Sequence, residues 1–170
     1  MPVLCSSTLL AVDSPLIDQP GTFRFAVATF DTGNELRDAL QSLRQEGLRD
    51  DAFNCLGLEE MIADASLLAV SSATARRTLR FPGQFRPISC TAGPLADRLS
   101  ERLRAEAPTL KAALGEWLIP RHAEQIQDDV DRGRIVLWVQ LLNSEDEPRA
   151  YRCLLARSLY SVGVHDLVAD

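Results

Sequence analysis

Phe23-Arg-Phe-Ala-Val-Ala-Thr-Phe30 and Ile135-Val-Leu-Trp-Val-Gln-Leu-Leu142 open two copies of one local grammar, strand, helix, glycine, strand. Both stretches have the β-branched and aromatic content of strands. After the first, Thr32 and Glu35 fit a capping box, in which each side chain satisfies a free amide at a helix start. Leu36, Ala39, Leu40 and Leu43 then recur at helical spacing, Gly47 supplies a left-handed stop, and a short strand follows from Ala52 to Leu58. After the second, Asn143-Ser144-Glu-Asp-Glu147 is again cap-like, and Pro148 belongs in the first helical turn, where its missing amide costs little. Tyr151, Leu154, Leu155, Ser158, Leu159 and Val162 mark the next helix face, with Gly163 as its stop before a strand from Val164 to Val168.

Two βαβ units whose crossovers are right-handed point to an α+β fold, the ferredoxin-like split βαβ sandwich, with a helical insertion between the units. The expected organisation is a single domain over residues 1–170: an N-terminal arm (1–20), a first unit (21–58), a mainly helical insertion (59–133) and a second unit (134–170). The strands from Phe23 and Ile135 are expected at the centre, and those near Phe53 and Val164 at the edges. A flavodoxin-like parallel sheet is the alternative, and the presence of only two clear βα pairs argues against it.

Within the insertion, Glu59 to Arg80 reads as helical in patches, with Met61, Ile62, Ala65, Leu68 and Ala69 on one face. Phe81-Pro-Gly-Gln-Phe-Arg-Pro87 breaks any regular element. Pro94 to Leu118 reads as an amphipathic helix or helix pair broken near Pro108, and Pro120 to Asp131 as a further helix stopped by Gly133. If Ile135, Leu137, Val139 and Leu141 face the helices of the two units, Val136, Trp138 and Gln140 face the other side, and Ala26, Ala28 and Phe30 are expected to join them. An open apolar face of that size needs a cover. The insertion's helices, a second copy of the chain and a ligand are the three candidates.

The chain has 170 residues, 46% of them hydrophobic, and a net charge of −6. Its basic residues are scattered, which disfavours nucleic acid, whose phosphates require a basic footprint. Trp138 and Phe30 could be offered as base-stacking aromatics, but no glycine-aromatic consensus surrounds them. The four cysteines (Cys5, Cys55, Cys90, Cys153) are widely spaced and form no Cys-x-x-Cys pair, a usage that fits a reducing cytoplasm. Residues 1–20 lack a basic n-region, and no apolar run approaches the roughly 20 residues of a membrane helix. A cytoplasmic protein without stable membrane insertion is expected, with no cofactor, since phosphate-binding glycine loops and His-Glu-x-x-His are absent.

Two histidines are the main candidates for chemistry. His122 lies near a helix start two residues before Glu124, and His165 directly precedes Asp166 on the last strand. A histidine beside a carboxylate can act as acid or base or bind metal, but neighbours at these spacings do not face one another on a regular element. A metal would need a third ligand, with Cys153 or Asp129 reachable only through tertiary approach. Asp128, Asp129 and Asp131 form an acidic cluster that reads as a solvated face, Arg76, Arg77 and Arg80 read as surface, and Cys153 reads as core. A ligand between sheet and insertion would be expected near Trp138, Gln140, Phe30, His122 and His165.

Val27-Ala-Thr-Phe-Asp31, the helix ending at Glu46-Gly47-Leu48, Ile119-Pro120 with Ala123-Glu124, Asp131-Arg-Gly-Arg-Ile-Val-Leu-Trp-Val139 and Gly163-Val-His-Asp166 carry a resemblance. Over about half its length the chain resembles small bacterial proteins of the heat-induced or general stress-protein type, with ferredoxin-like domains. In many of these the middle region is glycine-rich and apolar, whereas here it is charged, leucine-patterned and holds only Gly83, Gly93 and Gly115 before the stop at Gly133. The resemblance implies a fold more than an activity. Three functions follow as expectations: a non-enzymatic interaction or regulatory module, expected to be a homodimer and linked to stress by resemblance; a small-molecule sensor; or a small dimeric α+β enzyme using His122 or His165.

Overall fold

The computed structural model describes residues 22–64 and 76–168. Within these, β1 (Thr22–Phe30), α1 (Gly33–Gln45) and β2 (Phe53–Leu58) form the first unit, and β5 (Ile135–Gln140), α6 (Asp146–Arg157) and β6 (Gly163–Val168) the second. Between them lie α2 (Glu59–Asp64), β3 (Arg76–Leu79), β4 (Ile88–Thr91), α3 (Pro94–Arg104), α4 (Leu110–Leu114) and α5 (Pro120–Asp131). The fold is α+β, with a six-stranded antiparallel sheet in the order β3-β4-β2-β5-β1-β6.

The local expectations of the first unit are met in detail. Thr32 caps α1 by accepting from the Glu35 amide at 3.2 Å, and Glu35 reaches back to the Asp31 amide at 3.1 Å, one residue earlier than a standard box. Gly47 has φ +94°, the left-handed conformation that stops α1 without a Cβ penalty. The strands from Phe23 and Ile135 are central among the four unit strands, and β6 is an edge.

Three expectations about where strands and helices lie are corrected. The strand near Phe53 is interior, because β4 pairs with its outer side through Leu56–Cys90 and Leu58–Ile88. Those added strands come from the region read as mainly helical. The helix from Glu59 ends at Asp64 and Arg76–Leu79 is a strand, while Ala65, Leu68 and Ala69 lie outside the described residues, as does the arm 1–20. Gly163 does not stop a helix but opens β6. The α6 helix ends at Arg157, where Ser158 turns extended and its hydroxyl donates to the Thr29 carbonyl at 2.8 Å.

Both faces of the sheet are covered. One core joins α1 and α6 to Ala26, Ala28, Phe30, Ile135, Leu137 and Val139. The other joins α3, α4 and α5 to Phe25, Val27, Leu56, Val136, Trp138 and Leu167. The insertion's own helices therefore cover the second face, and Trp138 is fully buried beneath them. Ala26, Ala28 and Phe30 sit on the face opposite to the one expected. Directly paired strand residues point the same way, and Ala28 pairs with Leu137 and Phe30 with Ile135, so a one-residue slip in the reading of β1 exchanged its faces.

Candidate functional site

The helix α5 begins with Pro120 at its first position and runs across the Trp138 face. His122, Gln125, Ile126 and Asp129 follow at spacings of three and four, which places them along one side of the helix. Opposite them, alternation along β6 sends His165 and Leu167 to the face of their β1 partners Phe25 and Phe23, over Trp138. The two elements enclose a cleft of about 270 Å³. His122 and His165 line it with ring centroids 5.1 Å apart at 61°, and the Trp138 ring stands 6.3 Å from that of His165. Val27 and Ile126 supply apolar wall, and Gln125, Asp129 and Tyr160 supply polar groups. An ideal Cβ on Gly163 would come within 3.0 Å of the His165 Nε2, so the glycine gives the imidazole its room.

The end of the cleft away from His122 is held by a polar network. Asp129 is 2% exposed, yet both its oxygens are engaged: Oδ2 accepts from the Thr29 hydroxyl at 3.1 Å, and Oδ1 from Gln125 at 3.2 Å and Arg134 at 3.0 Å. Arg134 also donates to Asp31 at 3.1 Å and lies 4.5 Å over the Tyr160 ring. The Tyr160 hydroxyl donates to the same Asp31 oxygen at 2.7 Å, and its amide donates to Ser158 Oγ. This network ties the segment after α6 to β1 and to the C-terminal end of α5, fixing the cleft wall without any covalent link.

Electrostatics follow from this geometry. Burial lowers the His165 pKa from its ordinary value, the neighbouring His122 pushes the same way, and Asp166 opposes both. The hydrogen bond to Asp31 and burial raise that of Tyr160. Arg134 is held more firmly protonated, chiefly by Asp129. Burial pushes the Cys55 thiol up to about 12 and raises Cys90 and Cys153 as well, so these three are not poised as nucleophiles.

The chain matches no protein-family model, no curated protein and no solved structure.

Of the residues proposed from sequence, His122 and His165 come together, and Trp138 lies beneath them. Gln140 shares the Trp138 face, half-buried at the end of β5, but does not line the cleft. Phe30 is buried in the opposite core. Neither Trp138 nor Phe30 is accessible for stacking a base. The acidic cluster divides: Asp128 and Asp131 are exposed, while Asp129 is buried in the network. That correction was visible in principle, since Asp129 lies three residues after Ile126 and seven after His122, on the buried side of the helix. Tyr160 and Thr29 carried no comparable mark, because only the tertiary approach of β1 to the post-α6 segment gives them a role. Among the described residues no group of three or more His, Cys, Asp or Glu side chains could hold a metal ion, and no helix is long and apolar enough to cross a membrane. Cys153 packs into the α1/α6 core, and Arg77 pairs with Asp97 at 2.7 Å.

Proposed function

We propose that the chain is a ligand-binding regulatory module on a ferredoxin-like split βαβ scaffold, taking a small molecule into the cleft between β6 and α5. One observation carries the reading. Both histidines of the chain, from elements distant in sequence, meet in one concave site bounded by the sheet and the insertion. Ligand sites combine apolar wall with a few convergent polar groups, and this cleft has that make-up. The order β6-β1-β5-β2 of the four unit strands supports the ferredoxin-like reading. The resemblance to bacterial stress proteins supports a setting in a stress response of the bacterial cytoplasm.

Ser161 is exposed and lines the cleft, so Ser161→Trp obstructs it with little disturbance of the core. A thermal-shift screen of metabolites on the wild type is expected to find a ligand. At about a hundred times its Kd, such a ligand raises the melting temperature by about 5–10 °C. The Ser161→Trp variant, melting unchanged when unliganded, is expected to lose that rise. A screen without any stabilising compound, or equal stabilisation of both proteins, refutes the reading.

A second reading concerns assembly. Among the described residues β6 pairs only with β1, and Tyr151, Leu155 and Leu159 are exposed on and after α6, with Tyr151 beside Val164 of β6. An unpaired edge beside apolar side chains supports a homodimer joined at β6. Light scattering across a concentration series is expected to show a dimer that Leu155→Lys dissociates; a monomer at every concentration removes this reading.

A further inference from the structure

The chemistry of the cleft narrows what it holds. Asp129, the one carboxylate lining it among the described residues, already accepts from Thr29, Gln125 and Arg134, and the guanidinium offsets its charge. Tyr160 donates to Asp31 outside the cleft wall and remains neutral. Asp166 precedes Leu167 on β6, its carboxylate facing away from the cleft to pair with Arg24 at 3.1 Å. Against His165 the other elements place Phe25 from β1 and Trp138 from β5, neither of which titrates, and α5 places His122. The two imidazoles are thus the groups in the cleft able to gain an uncompensated charge, and that charge is positive. His122 also stands in the first turn of α5, where the helix dipole is positive and Ile119 offers no side-chain cap.

We propose that the cleft binds a small anion, a carboxylate or phosphoryl group, between His122 and His165, and takes up a proton from solvent as it does so. The proposal rests on the ligand-binding reading of the cleft and adds the chemical class. Without an anion, bringing a proton onto His165 is opposed by its partial burial and by the adjacent His122 ring; an anion between the two rings reverses that balance. Binding and protonation are then linked, and each favours the other by the same factor. The polar end near Asp129, Gln125 and Tyr160 is left for an uncharged or hydrogen-bond-donating part of the ligand.

Because the chain holds only two histidines, its imidazole Cε1–H proton resonances report this site alone. The full chain is titrated at constant ionic strength with acetate, with inorganic phosphate, and with acetamide as an uncharged analogue of acetate. Acetate or phosphate at tens of millimolar is expected to shift both resonances and raise their titration midpoints, while acetamide does neither. Affinity is expected to fall about tenfold per pH unit above the imidazole midpoint, the slope for one proton taken up. The stronger of the two anions distinguishes a carboxylate from a phosphoryl ligand. His122→Gln is expected to flatten the slope, and the wild-type titration decides the matter even if that variant folds poorly. Equal shifts from acetamide and acetate, pH-independent anion binding, or silence toward both anions overturns the anion proposal. If a metabolite from the screen still binds in a manner sensitive to Ser161→Trp, the ligand-binding reading survives that result; if none does, both fall.

Discussion

Asp129 shows how one side chain decides between a surface and a site. A carboxylate 2% exposed is sustained only because three donors, one of them a guanidinium, meet it. Asp129→Ala leaves the Thr29 hydroxyl without its acceptor in a buried setting, and unsatisfied groups of this kind cost about 1–3 kcal/mol. The expected outcome is an equivalent loss in denaturant stability, with Asp128→Ala, an exposed neighbour, within about 0.5 kcal/mol of wild type. Equal effects of the two substitutions would contradict the network described. Trp138 presents the opposite case. Its ring is fully buried edge-on to Phe25, with centroids 5.7 Å apart, but its indole N–H meets no acceptor among the described residues. Trp138→Phe removes that orphaned donor while creating a small void, two effects of opposite sign and similar size. The net change is expected to lie within about 1 kcal/mol, far below the cost of truncating a buried aromatic to alanine, about 3–5 kcal/mol. Chemical denaturation of the two variants side by side measures this difference.

At the scale of elements, the insertion helices act as the lid of a core that the two units leave half-built. Leu99 on α3 and Leu110 on α4 are fully buried against the Trp138 face. Leu99→Ala is expected to cost about 2–5 kcal/mol, as for a buried core leucine anywhere, and a loss under about 1 kcal/mol would show the helices to be peripheral. The helix of the first unit and α5 of the insertion were legible in the sequence because each has a local mark: Thr32 and Glu35 at the cap of α1, Gly47 at its stop, and Pro120 at the start of α5. The side on which β1 presents Ala26, Ala28 and Phe30 was not legible. Both its faces are apolar, so period-two alternation, the usual mark of a face, is missing, and only the register with β5 settles it. The strands β3 and β4 escaped for a related reason. Four-residue strands such as Arg76–Leu79 have little periodicity, and their pairing with each other and with β2 is non-local. The candidate site fell between these cases. His122 and His165 were recognisable as the right residue type, but their spacing to adjacent carboxylates pointed away from the true relationship, a contact between α5 and β6 that no local rule contains.

For the whole molecule, the lowered pKa of His165 makes stability depend on pH in a definite direction. In the unfolded chain this imidazole titrates near its ordinary value of about 6.5; in the fold it holds a proton less readily. Above that value both states carry it neutral and it contributes no pH dependence. As pH falls through about 6.5 the unfolded state binds more proton than the folded one, so stability declines until the folded imidazole is also protonated. Other groups titrate in the same range, but they are common to the wild type and His165→Gln. The difference between their denaturant midpoints, followed from about pH 7.5 to about pH 5.5, therefore reports this imidazole together with its contact to His122. The wild type is expected to lose ground relative to the variant as pH falls. Anion binding at the cleft has the reverse effect, since it favours the protonated imidazole in the folded state alone. Saturating phosphate or acetate should thus narrow the acid-side gap between wild type and variant, and an identical pH profile for the two proteins would show that His165 titrates as though exposed.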